Sequence, residues 1–209
     1  NVVYGKRNHA LFGDRLALDL DNAFYAVAES LILSFKETED HEGFKLSVIM
    51  HFALDTSITA EELKEEDAGS LTQRLYTEAV TTYDQKCKNI AQHTMPIIRD
   101  IRSKQGNHIE NVAVPFSDGR KGIQVIANLD KYLASEGLEL PRALERSITL
   151  AIIDDAWKEH LRSMDDLRQS VQSATYEQKD PLVIYKIEAF NAFKVMDDKV
   201  NKDIVSFLC

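Results

Sequence analysis

Seven apolar residues near the C-terminal end, Ile187, Phe190, Phe193, Met196, Val200, Ile204 and Leu208, recur over 21 residues in six steps, a mean period of 3.5. A stripe of that period belongs to a helix that lies lengthwise on another helix. The partner stripe is just upstream, at Leu144, Ile148, Ile152, Trp157, Leu161, Met164, Leu167 and Val171. Pro141 suits the first position of the upstream helix. Asp180 as N-cap and Pro181 at the first helical position open the downstream one. Residues 141–209 therefore read as an αα-hairpin, two long antiparallel helices joined by a short tip. Trp157, Leu161, Met164, Phe190 and Phe193 are expected in its seam. The tip reads Ser173-Ala174-Thr175-Tyr176-Glu177-Gln178-Lys179. An aromatic at an exposed tip has no core to fill; the ring face and polar end of Tyr176 suit contact with a partner, or folding back over its own hairpin.

The rest of the chain is also mainly helical. Only 8 Gly and 4 Pro among 209 residues leave little material for turns, which favours long helices over many short strands. Leu16, Leu20, Ala23, Val27 and Leu31 share one helix face, with Asp14 as the expected N-cap. A short apolar helix is expected from Phe44 to Leu54. Thr59 and Glu62 have the spacing of a capping box. Leu71, Leu75, Ala79, Tyr83, Cys87 and Ile90 mark a long helix over 68–104, which Pro96 is expected to kink or split. The exception is 107–128, where Val112, Val114 and Phe116, then Ile123, Val125 and Ala127, alternate about Ser117-Asp118-Gly119-Arg120-Lys121-Gly122. That is a β-hairpin, and two strands alone are marginal in water, so it must lie on helices. The expected fold class is mainly α, with long helices, an αα-hairpin and one small inserted β-hairpin.

Charge and motifs restrict the chemistry. The formal net charge is −9, which argues against a nucleic-acid module. Most of it sits in residues 36–67, where 10 acidic and 3 basic residues give −7. Cys87 and Cys209 form no spaced cluster and read as reduced thiols. No stretch approaches a membrane span. Asp154, Asp155, Glu159 and His160 crowd one helical stretch. A metal site could use such spacing; a solvated acidic face, with Lys158 and Arg162 as intrahelical partners, needs no metal, and His160, one turn from Trp157, reads as a half-buried packing histidine. No nucleophile with an activating base is evident, so no catalytic residue, cofactor or metal is assigned.

Trp157-Lys158-Glu159-His160-Leu161, Met164-Asp165 and Leu167-Arg168-Gln169, followed by Tyr176, Gln178, Asp180-Pro181, Tyr185-Lys186 and Glu188-Ala189-Phe190, resemble the C-terminal part of the SecA family, ATP-driven motors of bacterial protein secretion. Val2-Val3-Tyr4-Gly5-Lys6-Arg7-Asn8 is similar to the start of that family's scaffold segment. Ser170 and Ser173-Ala174-Thr175 depart from the family's run before the tip, and Ile184 stands where Glu is usual; Tyr176 is retained.

The resemblance implies a division into scaffold (1–39), helical wing-like domain (40–140, with the hairpin at 107–128) and second scaffold part (141–209), the last forming a two-helix finger. It implies that the finger points into the SecYEG channel and that Tyr176 contacts unfolded preprotein. It further implies bracing of ATPase domains of the same protein, contact with an anionic membrane surface, and a homodimer. ATP and Mg belong to the full-length protein, on the cytoplasmic face of the bacterial inner membrane. The first residue, Asn1, suggests a piece of something longer, and no ATP turnover is expected of the chain alone. The alternative is a cytosolic helical adaptor that binds a partner helix with no motor attached.

Overall fold

The computed structural model describes residues 2–13, 15–105, 108–119, 122–173 and 180–209. In chain order these form α1 (Val2–Phe12), α2 (Leu16–Thr38), α3 (His41–Phe52), α4 (Ala60–Glu65), α5 (Ala68–Gln105), β1 (Asn111–Ser117), β2 (Gly122–Asn128), α6 (Leu129–Ala134), α7 (Glu139–Ser173) and α8 (Pro181–Leu208). The mainly α class with one antiparallel hairpin is as the residue pattern predicts.

Local chemistry explains most boundaries. Asp40 caps α3 by accepting from the Gly43 amide at 2.9 Å. The capping box of α4 is complete: the Thr59 hydroxyl accepts from the Glu62 amide, and the Glu62 carboxylate accepts from the Thr59 amide. The α6 helix, which the sequence did not suggest, is capped by Asn128 accepting from the amides of Asp130 and Lys131.

Three starts or breaks differ from expectation. The residue before α2 is Arg15, in the left-handed region at φ 62° with no side-chain cap; Asp14 lies outside the described residues. Pro96 does not split α5, which runs through it from Ala68 to Gln105 with Ala91 and Ile98 buried on either side. Packing there outweighs one lost amide bond. The α7 helix begins two residues before Pro141, which still falls in the first turn, where an amide has no intrahelical acceptor.

Two apolar cores result. One gathers α3, α4, most of α2, the first half of α5 and Val205, around Phe24, Phe44, Val48, Phe52, Leu71 and Leu75. The other joins α1, the start of α2, β2, α6, α7 and the end of α8. Strand pairing runs from Asn111 with Asn128 to Ser117 with Gly122. It puts Val125 and Ala127, both fully buried, on the face toward α7. A polar link crosses between α5 and α7, where the Tyr83 hydroxyl donates to Glu145 at 2.9 Å. Burial pushes the pKa of both groups up. Cys87 and Cys209 are free.

Candidate functional site

The paired helices α7 and α8 carry the candidate site. The 35 residues of α7 rise about 52 Å at 1.5 Å each. The pair is antiparallel: His160 meets Phe193 edge-on at 6.0 Å, while Ile152 and Phe207 line one cavity. On α7, Ile153, Trp157, His160, Met164, Leu167 and Val171 are buried or half-buried and follow at 4, 3, 4, 3 and 4 residues. That is an unbroken 3.5-residue seam with a histidine in it.

The seam corrects three expectations. Leu161, Ile187 and Phe190 are 48%, 54% and 62% exposed, so none of them packs in it. Their neighbours do: His160 takes the place given to Leu161, and Ala189 is half-buried where Phe190 is not. The Phe190 ring instead lies 5.7 Å beneath the Lys194 ammonium. Trp157, Met164 and Phe193 are half-buried. Phe190→Ala should therefore change the free energy of unfolding by less than about 0.5 kcal/mol, not the several kcal/mol of a core phenylalanine. Urea unfolding of the variant checks this.

At its root the pair is gripped by α1. Val3, Tyr4 and Arg7 share one face of α1 by spacing. The Tyr4 ring meets Trp157 edge-on at 6.0 Å. Arg7 donates twice to Asp154, at 2.7 and 3.3 Å, and Lys6 donates to Asp197 on α8 at 2.6 Å. The first of these bonds raises the Arg7 pKa, mainly through the hydrogen bond and then through charge. Trp157 also stacks at a tilt on His160, 5.4 Å away, and burial lowers the pKa of that imidazole. The segments Val2–Asn8 and Trp157–Leu161, 150 residues apart in sequence, thus meet in one cluster.

Asp180 caps α8 by accepting from the Leu182 amide at 2.9 Å, and Pro181 is its first residue. Ser173 is the last residue of α7. Ala174, Thr175, Tyr176, Glu177, Gln178 and Lys179 lie outside the described residues.

The residues of the metal alternative have other partners. Asp154 is held by Arg7, Asp155 lies 3.8 Å from Lys158, and Glu159 lies 3.3 Å from Arg162. His160 is turned into the seam. Among the described residues no group of three or more His, Cys, Asp or Glu could hold a metal ion. Among them, too, no helix is long and apolar enough to cross a membrane.

Sequence reasoning missed Tyr4, Lys6, Arg7 and Asp197 as partners of the hairpin; it read His160 as a packing histidine, which its ring contacts bear out, but gave its place in the seam to Leu161. The 4-3-4-3-4 spacing through His160 was a usable signal. The contact with α1 left none in the spacing.

The SecA wing and scaffold domain model matches residues 1–209. The chain is 45% identical over 207 residues to the protein translocase subunit SecA of Christiangramia forsetii, covering 99% of this chain and 18% of that protein. It is 42% identical over 207 residues to the subunit of Cytophaga hutchinsonii and 43% to that of Flavobacterium psychrophilum, with the same coverage of each. The chain thus spans about a fifth of the length of these curated relatives. With its whole length matched, and with the helix pair and its root cluster built from the residues that carry the likeness, the chain belongs to the SecA wing and scaffold domain family.

Proposed function

We propose that this chain is the lever of an ATP-driven protein translocase. Residues 1–39 and 141–209 act as scaffold and 40–140 as wing. The α7–α8 pair serves as a two-helix finger directed at the SecYEG channel, with Tyr176 at its tip touching the unfolded preprotein. ATP and Mg bind in other domains of a longer protein, at the cytoplasmic face of the bacterial inner membrane. Those domains bear on the scaffold. A homodimer, and an anionic membrane surface met through the full-length protein, complete the set of partners.

The observation that carries this reading is the asymmetry of the helix pair. Its root is fixed by two ion pairs and an aromatic cluster from α1. Toward the tip, Leu182, Val183, Ile187 and Phe190 are all more than half exposed. A lever needs this division between a fixed base and an arm free to meet a partner. A tip that handles any sequence should grip by ring-face contact, not by matched charge.

In the complete protein, Tyr176→Ala should lower translocation about tenfold, a typical loss for one aromatic anchor, while Tyr176→Phe retains most of it. Thermal unfolding should not change. Normal translocation by Tyr176→Ala would remove the tip from the mechanism.

A further inference from the structure

One helix within the acidic segment 36–67 is apolar on two sides. Phe44, Val48 and Phe52 of α3 are fully buried in the core shared with α2. On the other side Leu46, Ile49 and Met50 are 60%, 49% and 62% exposed. Glu42 and Ala53, also exposed, extend the same line. Steps of four, three, one and three residues along 42, 46, 49, 50 and 53 make one continuous stripe. A surface helix ordinarily carries polar residues there. Single exposed apolar side chains need no explanation, but a contiguous stripe does.

The two ends of the stripe have different chemistry. Its N-terminal end is acidic, with Glu42 on the stripe and Asp40 just before it. The segment's three bases are already committed: Lys36 donates to the carbonyls of Leu63, Lys64 and Glu66, Lys45 pairs with Asp55 at 3.0 Å, and Lys64 pairs with Glu39 at 2.8 Å. The C-terminal end runs into a cavity of about 410 Å³ that Met50 helps to line. Ile152 and Phe207 supply further apolar wall, while Asp118, Asp203, Ser206 and His51 make its polar side, with His51 bonded to Ser206 at 2.7 Å.

We propose that the outer face of α3 docks a basic amphipathic helix of a separate protein. The apolar stripe of that helix lies on Leu46, Ile49 and Met50, beside the cavity. Its Lys or Arg residues face Glu42 and the neighbouring Asp40. Charge complementarity selects this occupant. A second copy in a two-fold contact would set one −7 segment against another, and an anionic lipid surface would repel the same charge.

The test uses the whole chain carrying ¹³C-methyl methionine and an amphipathic peptide of leucine and lysine. Of the four methionines, Met95, Met164 and Met196 are half-buried elsewhere, so Met50 reports this face alone. Its signal is assigned through Met50→Leu. The peptide should shift the Met50 methyl saturably and leave the other three in place. Glu42→Lys and Ile49→Asn, both at exposed positions, should each weaken binding about tenfold without altering thermal unfolding. The matching leucine–glutamate peptide should not bind. Shifts at Met164 or Met196 in place of Met50, or equal binding of the glutamate peptide, would overturn the proposal. So would a Met50 shift produced by raising the chain concentration alone or by adding phosphatidylglycerol vesicles.

Discussion

Phe52→Ala should lower the free energy of unfolding by about 3–5 kcal/mol, the usual cost of deleting a fully buried phenylalanine. Phe52 has no exposed surface. Its ring stacks on Phe24 at 5.9 Å, and Phe24 lies 5.4 Å from Tyr83. One aromatic chain therefore ties α3 to α2 and α2 to α5, and removing its end leaves a cavity that three helices cannot close without shifting. Phe52→Leu, which keeps most of the volume, should cost less than half as much. Urea unfolding measures both, and a loss below about 1 kcal/mol for the alanine variant would mean that the core relaxes around the gap.

The second large effect is expected at Gly137, in the turn that leads into α7. Its φ is +95°, and a Cβ there would sit 2.8 Å from the Ala91 Cβ and 3.0 Å from its Cα. The Gly137 amide donates to the Tyr132 carbonyl at 3.0 Å, which fixes the turn. Gly137→Ala meets a left-handed backbone penalty of about 1 kcal/mol and an overpacking cost of about 1–3 kcal/mol, together about 2–4 kcal/mol. Gly137→Asn eases the backbone penalty but not the clash, so it should not restore stability. Ala91→Gly in the same chain as Gly137→Ala should recover part of the loss, because it removes the nearest atom. Full recovery by asparagine alone would show that the close approach of this turn to α5 does not matter.

Much of this fold can be read in the residues, since its helices are amphipathic and its caps are conventional. The Thr59–Glu62 capping box, the Asp180–Pro181 start of α8 and the alternation in β1 and β2 are local signals with local causes. The seam of α7 and α8 is less legible because a period defines a face only to within a residue. Choosing apolar residues favoured Leu161 and Phe190. The helices instead meet one position earlier, through His160 and Ala189, because a buried imidazole between two rings packs as well as an aliphatic side chain. The grip of α1 on the hairpin root is a long-range contact between Tyr4, Lys6 and Arg7 and residues some 150 or more positions away. No periodicity encodes such a pairing. The α6 helix is too short to leave a pattern, and only its Asn128 cap hinted at it.

The claim that α7 and α8 are anchored at the root and free along the outer half is tested most directly by amide hydrogen exchange of the chain, read by mass spectrometry in peptides along both helices. Residues 148–160 and 196–208, which pack with α1 and in the cores, should exchange slowest, near the rate set by global unfolding. Residues 182–191 should exchange faster, through local opening. Uniform protection from one end of α8 to the other, or faster exchange at the root than beyond it, would contradict the account.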